Sequence, residues 1–300
     1  MDKPSESLAE SVPELASKDA LGAALHFEQV TRIFERRVRA AGVKASLGAF
    51  FRPEVKQKRA LANVSFSIPR GSCVGLVGAN GAGKTTLLKI ASGLLHPTSG
   101  QAHALGFTPA DRNKKFLKSI GMVMGQKSQL WVDIPAAETF ELLADIYEVP
   151  KDAFRERLAN LARILKVEDL LGVQVRRLSL GERMKCEIIA SLLHSPELVF
   201  LDEPTIGLDV VAKGAIREFI IEHNRKSGAT IVLSSHDMSD ITEVCDRLLL
   251  IHEGQLLYSG TLADFQAHYQ VTGAAEDLER IVRQVLMGNH EGLPPPGMSS

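Results

Sequence analysis

Short apolar or alternating runs recur along much of the chain, as they do in strands. They concentrate in the first 125 residues and again after residue 197. The strands predicted in this way are Leu25–Val30, Leu61–Ile68, Ser72–Val77, Gln101–Gly106, Ile120–Met124, Leu198–Leu201, Thr230–Leu233, Arg247–Ile251 and Gln255–Tyr258. The last two are predicted to form a hairpin around Glu253 and Gly254.

Between many of these runs the apolar spacing changes to that of a helix face. The predicted helices are 86–91, 211–226, 237–245 and 278–286, together with a helical block from Ile134 to about His194 that Pro150 divides. Strands that alternate with helices predict an α/β protein with a mostly parallel sheet, into which the helical block is inserted as a subdomain.

The segment between residues 31 and 60 differs from its surroundings in charge, since it has nine Lys or Arg residues and two acids. Val43, Leu47, Phe50 and Phe51 within it have the spacing of one apolar helix face. Two interpretations remain open. The segment is either a solvated insertion with one short helix that packs against the rest of the domain, or a surface that lies against anionic headgroups or a membrane partner. The shortness of the helix favours the first.

Composition narrows the class of protein. The formal net charge of −1 argues against a protein that coats nucleic acid. No apolar run reaches the ~18 residues that a membrane span requires, and the acidic N-terminus lacks the apolar region of a secretory signal. The three cysteines form no C-x-x-C pair, which is typical of buried thiols in a reducing compartment. We therefore expect a cytosolic chain that acts at a membrane only from its surface or through a partner.

The stretch Gly78–Thr86, GANGAGKTT, fits G-x-x-x-x-G-K-[ST] without a mismatch, and we call it the phosphate loop. It lies between a predicted buried strand and a predicted helix. Its glycines allow backbone N–H groups to turn inward around an anion at the helix N-terminus. Lys84 is expected to reach the β- and γ-phosphates, and the Thr85 hydroxyl to ligate Mg²⁺.

A second candidate site follows the apolar run Leu198–Leu201, where Asp202 and Glu203 end a predicted strand. Ligands of α/β sheets bind at this end of the strands. Asp202 is placed to hold Mg²⁺ through water. Glu203 is the natural general base for a water molecule that attacks the γ-phosphate.

Upstream of these acids, Leu178-Ser179-Leu180-Gly181-Glu182-Arg183 resembles LSGGQ, the signature of the ATP-binding cassette (ABC) ATPases. Leu180 replaces the first glycine and Glu182 the glutamine, whereas Ser179 and Gly181 are retained. The resemblance covers about residues 25–265. It implies a P-loop NTPase with a RecA-like core and a mostly parallel sheet, an antiparallel β subdomain and an inserted α-helical subdomain.

The resemblance also assigns roles to single residues. Gln126 resembles the glutamine that senses Mg²⁺ and the attacking water, His236 the switch histidine at the γ-phosphate, and Phe34 the aromatic that stacks on adenine. Gly207-Leu208-Asp209 resembles the D-loop at the dimer contact. The implied catalytic residues are Lys84, Gln126, Glu203 and His236, and the implied Mg²⁺ ligands are Thr85, Gln126 and Asp202. The implied ATP-binding residues are Phe34, Gly78, Ala79, Asn80, Gly81, Ala82, Gly83, Lys84, Thr85, Thr86, Ser179, Gly181, Glu182 and Asp209.

The domain organisation expected from these matches is a disordered N-terminal tail (1–24), an ABC ATPase domain (25–268), and a C-terminal helix with a loose tail (269–300). Within the ATPase domain we expect a basic insertion at about 35–59 and a helical subdomain at about 127–195. The cofactors implied are ATP and Mg²⁺. The partners implied are a second ATPase subunit, expected to be identical, and an integral membrane permease, without nucleic acid.

Alternatives remain at this stage. The LSLG signature and the basic insertion resemble ATPase subunits of ABC-2-type exporters, which favours export. A soluble ABC ATPase of an assembly system, such as iron–sulfur cluster scaffolding, is the second reading. A kinase with the same loop would not explain Ser179–Glu182 or His236. Trp131 is either a core residue or part of a permease-binding surface near 126–133.

Overall fold

A computed structural model describes residues 22–38, 54–125, 127–271 and 274–286 of the chain. The predicted helix with Val43 and Phe50, residues 1–21 of the predicted N-terminal tail, the predicted loose C-terminal tail after residue 286, and Gln126 lie outside these residues. The predicted boundary of the N-terminal tail at residue 24 is wrong, because Ala23 and Ala24 are buried at the start of the first strand. Within the described ranges the strands are β1 (Ala23–Val38), β2 (Glu54–Pro69), β3 (Cys73–Val77), β4 (Ser99–Ala104), β5 (Ile120–Met124), β6 (Leu198–Asp202), β7 (Thr230–Ser234), β8 (Arg247–His252) and β9 (Gln255–Thr261).

The α-helices lie between and after these strands. In the described part of the chain they are α1 (Lys84–Ala91), α2 (Lys114–Lys118), α3 (Ala136–Ile146), α4 (Lys151–Leu165), α5 (Leu180–Leu192), α6 (Val210–Ser227), α7 (Met238–Val244), α8 (Leu262–His268) and α9 (Ala275–Leu286). The predicted helical block therefore consists of α3, α4 and α5, and Pro150 occupies the position directly before α4, as expected for a proline at a helix boundary.

The main sheet has the strand order β5-β6-β7-β3-β8-β9. All neighbouring pairs are parallel except β8 and β9, which form the predicted antiparallel hairpin. The mostly parallel α/β fold predicted from the sequence is thus confirmed. Because β6, β7 and β3 are neighbours, the residues that follow their carboxyl ends meet at one edge of the sheet.

A second, antiparallel sheet has the order β2-β1-β4. Phe27 of β1 stacks on Phe66 of β2 with ring centroids 4.7 Å apart. The strand predicted at Gln101–Gly106 begins and ends two residues earlier than expected, at Ser99–Ala104. Gly106 instead has φ +83°, the left-handed conformation of a turn residue.

Apolar side chains pack on both faces of the main sheet. In β6, Val199 and Leu201 belong to one buried core, together with residues of α3 to α9, because successive strand residues point to opposite faces. Leu198 and Phe200 belong to a second core, which includes the antiparallel sheet and α1. The strands that carry the carboxylates are therefore covered on both sides, so that only their ends reach solvent.

Cys73, Cys186 and Cys245 are buried free thiols, as predicted. Burial raises the pKa of the Cys186 thiol to about 12, which leaves it protonated at neutral pH. None of the helices in the described ranges has the length and apolar character needed to cross a membrane.

Candidate nucleotide site

The phosphate loop joins β3 to α1 through two backbone contacts that exclude a side chain. A Cβ on Gly78 would lie 2.2 Å from the Ile251 carbonyl oxygen, and one on Gly83 would lie 2.7 Å from that of Ala60. Gly83 also has φ +116°, a conformation that residues with a Cβ rarely adopt. These glycines let the loop turn directly into the N-terminus of α1, where N–H groups favour an anion.

Lys84, the first residue of α1, is almost fully buried under this loop. Its ammonium donates a hydrogen bond to the Gly78 carbonyl oxygen over 2.7 Å and lies 3.6 Å from Glu203 Oε1. The lysine is therefore held between the loop and the end of β6, where it can reach a phosphate bound by the loop.

Asp202 ends β6 with its side chain mostly buried. Thr85 Oγ1 donates a hydrogen bond to Asp202 Oδ2 over 3.0 Å, and Ser234 Oγ donates to Asp202 Oδ1 over 2.6 Å. The two predicted metal ligands of the described chain are thus in direct contact. The Ser234 contact was not predicted, because the sequence does not show that β7 is the neighbour of β6.

Glu203 directly follows Asp202, just after the end of β6. Its Oε2 lies 2.7 Å from His236 Nδ1, and we call these two residues the Glu203–His236 pair. Glu203 has φ +54°, in the left-handed region, and its N–H donates to both the carbonyl and the hydroxyl oxygen of Ser234. The strained conformation is maintained by these hydrogen bonds.

These residues surround a cleft of about 710 Å³. Its lining includes most of the phosphate loop, both carboxylates, His236 and Phe34: Phe34, Gly78, Ala79, Asn80, Gly81, Gly83, Lys84, Thr85, Thr86, Asp202, Glu203 and His236. Ala82, an expected ATP-binding residue of this loop, is buried and does not line the cleft. The Phe34 ring is 38% exposed, and the Arg32 guanidinium lies 4.7 Å from its centroid.

Gln126 lies outside the described residues, but its neighbour Gly125 packs against the end of β6. Gly125 N–H donates to the Asp202 carbonyl oxygen over 2.8 Å. A Cβ at this position would lie 2.9 Å from the carbonyl oxygens of both Asp202 and Glu203. The chain therefore passes very close to the two carboxylate residues at this point.

The signature residues form a separate surface at the N-terminus of α5. The Ser179 N–H and hydroxyl both donate to Glu182 Oε2 over 2.8 Å, while Ser179 Oγ accepts the Glu182 N–H, so that the two residues form a capping box. The backbone and hydroxyl of Ser179 hold the pKa of the Glu182 carboxyl below its usual range. A Cβ on Gly207 would lie 3.2 Å from Leu180 Cδ2, and one on Gly181 would lie 3.0 Å from Ala212 Cβ.

This surface does not meet the cleft within one chain. Ser179, Gly181, Glu182 and Asp209 are absent from the cleft lining. Asp209 instead caps α6, where its Oδ1 accepts the Ala212 N–H over 2.9 Å. The structure therefore brings the phosphate loop together with Asp202, Glu203, His236 and Phe34, and leaves the signature residues outside this cleft.

The oxygen set around Asp202 is suited to Mg²⁺, which prefers hydroxyl and carboxylate oxygens completed by water and substrate phosphates. In the described ranges, no group of three or more His, Cys, Asp or Glu residues is arranged to hold a metal ion. Thr85 and Asp202 thus fit a metal that is shared with a bound nucleotide.

One alternative from the sequence is wrong. Trp131 was weighed as a core residue, but its side chain is 59% exposed, next to the exposed Val132. Leu130, which directly precedes Trp131, is buried and anchors this exposed segment.

A phosphate loop between a parallel strand and a helix, facing an acidic strand end, defines a P-loop nucleoside triphosphatase. The family described as "ABC transporter" matches residues 61–206. NatA of Bacillus subtilis (strain 168), an ABC transporter ATP-binding protein, is 32% identical over 71% of this chain and 86% of its own length. YbhF of Escherichia coli (strain K12), a probable multidrug ABC transporter ATP-binding protein, is 32% identical over 84% of this chain and 41% of its own length.

A solved structure described as the ATP-binding subunit of an ABC transporter superposes with a TM-score of 0.70. It is 27% identical and is covered over 98% of its length, against 86% of this chain. The chain therefore belongs to the family of ABC transporter ATP-binding proteins and is an ATPase that binds ATP, as the signature and the phosphate loop predicted.

Proposed function

We propose that two copies of this chain clamp two MgATP molecules between them and drive a separate membrane permease, in the direction of export. Each ATP would lie on the phosphate loop of one subunit and face the Ser179–Glu182 surface of the other. The proposal is supported by the absence of Ser179, Gly181, Glu182 and Asp209 from the cleft that the phosphate loop lines. Within a single chain the signature lies apart from the cleft, so a second subunit is needed to complete the site.

In this arrangement the nucleotide is held by the phosphate loop, with Lys84 on the β- and γ-phosphates and Phe34 against the adenine. Thr85, Asp202 and Gln126 would hold Mg²⁺, which neutralises phosphate charge when bound. Glu203 takes a proton from the attacking water, and His236 orients Glu203 and the γ-phosphate. Electrostatic positioning of this kind supplies most of the rate enhancement in phosphoryl transfer.

The permease contact is proposed at the exposed segment around Trp131 and Val132. Exposed apolar side chains of this size are typical of protein–protein contacts. The chain would then lie at the cytoplasmic face of a membrane by way of this partner. Export is supported by the LSLG signature and by YbhF, whose name describes it as a probable multidrug transporter component.

Complementation between two inactive variants tests the shared site. Lys84→Ala removes the phosphate contact, and Ser179→Asp keeps a helix-capping residue but places a negative charge toward the γ-phosphate. Each variant alone should be inactive. Mixed in equal amounts, the variants should form mixed dimers in about half of all cases. Each mixed dimer has one intact site out of two, because the intact phosphate loop of one subunit faces the intact signature of the other. The mixture should therefore recover up to about a quarter of wild-type turnover. Ser191→Ala, at a buried serine whose hydroxyl donates to the Ile188 carbonyl oxygen within α5, is the control and should retain most activity. Mixtures that stay inactive would contradict the shared site.

Co-purification tests the partner. Trp131→Ser together with Val132→Ser should reduce recovery of a multi-span protein from detergent-solubilised membranes, while ATPase activity of the purified subunit stays unchanged. If the wild-type chain recovers only soluble partners, the proposed permease is contradicted and the assembly-system alternative is favoured.

The direction of transport is tested by reconstituting the recovered complex in vesicles and measuring on which side of the membrane the transported molecule accumulates.

A further inference from the structure

Asp240, in the first turn of α7, is a completely buried carboxylate that none of the roles above uses. Donors from three different segments converge on it: Thr205 Oγ1 at 2.5 Å, Ser235 Oγ at 2.6 Å and Arg217 Nε at 2.7 Å. A buried carboxylate is tolerated only when its oxygens accept hydrogen bonds of this kind. The cluster therefore fixes these segments relative to one another.

Two of the donors lie on the loops that carry the Glu203–His236 pair. Thr205 is two residues after Glu203, on the loop that follows β6. Ser235 directly precedes His236, on the loop that follows β7. Both hydroxyls donate to the same oxygen, Asp240 Oδ2. The carboxylate of Asp240 thus links the loop that carries Glu203 to the loop that carries His236, whose side chains lie 2.7 Å apart.

Arg217, on α6, holds Asp240 from the other side. Its guanidinium also reaches Glu243 Oε1 at 2.9 Å and Asp237 Oδ2 at 3.5 Å. Burial lowers the pKa of Arg217, but the hydrogen bond and charge of Asp240 and the neighbouring acids raise it by more. The guanidinium is thus a permanent positive charge that balances Asp240 in the interior.

None of the contacts of the Asp240 cluster reaches the phosphate loop. Thr205, Arg217, Ser235 and Asp240 are absent from the lining of the nucleotide cleft. A change in the cluster should therefore alter the geometry of the reacting groups while leaving ATP binding intact. This separation makes a role in catalysis distinguishable from a role in substrate affinity.

We propose that Asp240, held by Arg217, is a positioning residue that fixes Glu203 and His236 at their reacting distance through the hydroxyls of Thr205 and Ser235. This inference rests on the proposed function, in which the pair acts on the γ-phosphate and its attacking water. A displacement of a reacting group by about 1 Å can lower a rate by roughly 100-fold, so the cluster can have a large effect without touching the nucleotide.

Substitution of Thr205 gives the cleanest test, because Asp240 then keeps its contacts with Ser235 and Arg217. Thr205→Val removes the hydroxyl at nearly constant shape, whereas Thr205→Ser keeps it. We expect Thr205→Val to lower kcat by about 10- to 100-fold with less than about a twofold change in KM for ATP. Thr205→Ser should restore most of kcat. Thr242→Ala, on the same helix α7, is the matched control and should leave turnover unchanged. A Thr205→Ser variant as slow as Thr205→Val, or a wild-type rate in both, would overturn the proposal.

A double-mutant cycle separates positioning from general destabilisation. In a His236→Ala background, measured by single turnover, Thr205→Val should have much less effect than in the wild type, because the pair that it positions is already broken. An equal factor in both backgrounds would show a merely structural role and would overturn the inference. His236→Ala by itself tests the proposed function: unchanged turnover in that variant would remove the catalytic role of His236 whatever Thr205 does.

Discussion

The Ser234 hydroxyl donates to Asp202 Oδ1 over 2.6 Å and at the same time accepts the Glu203 N–H over 3.0 Å. One side chain on β7 therefore orients the carboxylate proposed to hold Mg²⁺ and the backbone of the proposed base. Asp202 Oδ2 accepts from Thr85. Without Ser234, one oxygen of this buried carboxylate would lose its hydrogen-bond donor.

Ser234→Ala should therefore weaken the use of Mg²⁺ more than the binding of ATP. Loss of a group that orients a metal ligand lowers metal affinity by about 10- to 100-fold. We expect the Mg²⁺ concentration for half-maximal turnover, titrated at saturating ATP, to rise by this factor. Ser191→Ala is the control, because Ser191 is equally buried but donates to the Ile188 carbonyl oxygen within α5. An unchanged Mg²⁺ titration for Ser234→Ala would contradict the role of this hydroxyl.

The strands and the phosphate loop could be predicted because their signals are local. Ile120–Met124 is a run of residues suited to a buried strand, and its predicted bounds match β5. Lys84, Thr85 and Asp202 belong to motifs whose spacing fixes their chemistry. These motifs can be recognised in the sequence without knowing which strands are neighbours in the sheet.

Residues that act across the sheet could not be predicted in this way. Ser234 contacts Asp202 and Asp240 contacts the loop after β6 only because β7 lies next to β6, and no local sequence pattern gives the order of the strands. The exposure of Trp131 depends on which side chains of the helical block turn inward, and periodicity does not settle this for a residue just before a helix.

The close packing of Gly125 against Asp202 and Glu203 leads to a second prediction. Gly125→Ala would place a Cβ 2.9 Å from two backbone carbonyl oxygens, so the chain must shift at the two carboxylates. We expect kcat to fall by roughly 100-fold, with retained ATP binding measured by equilibrium dialysis. Gly172→Ala is the matched control, because no atom lies within 4 Å of a Cβ at that position. If both alanine variants turn over at the same rate, the contact has no catalytic consequence.

Phe34 leads to a third prediction, which concerns the nucleotide base. Base stacking on an aromatic side chain contributes about 1–3 kcal/mol, so Phe34→Ala should raise the Kd for ATP by roughly 5- to 150-fold. Phe34→Tyr keeps the ring and should bind as the wild type does. Inorganic triphosphate, which has no base, should bind both variants equally in isothermal titration calorimetry. A loss of triphosphate affinity in Phe34→Ala would mean that the ring supports the phosphate loop and does not bind adenine.

The capping box of Ser179 and Glu182 should make the stability of α5 depend on pH. Hydrogen bonds from Ser179 lower the pKa of the Glu182 carboxyl in the folded protein from the ordinary value of 4.5. The carboxylate therefore stabilises the fold fully above pH 4.5, and this contribution is lost as the pH falls through the lowered folded pKa. Near neutral pH, a carboxylate in the first turn of a helix contributes about 0.3–1 kcal/mol relative to a neutral side chain.

Glu182→Gln, which cannot ionise, should have a lower Tm than the wild type at pH 7, and the difference should disappear as the pH drops below about 4.5. Ser179→Ala removes one of the donors that lower the pKa of Glu182. In a Ser179→Ala background the same difference should therefore be smaller at pH 7, and it should vanish at a higher pH. Thermal unfolding followed by circular dichroism across this pH range measures both effects. A constant difference in Tm between wild type and Glu182→Gln at every pH would show that the charge of Glu182 does not stabilise α5, and that its amide substitute acts through shape alone.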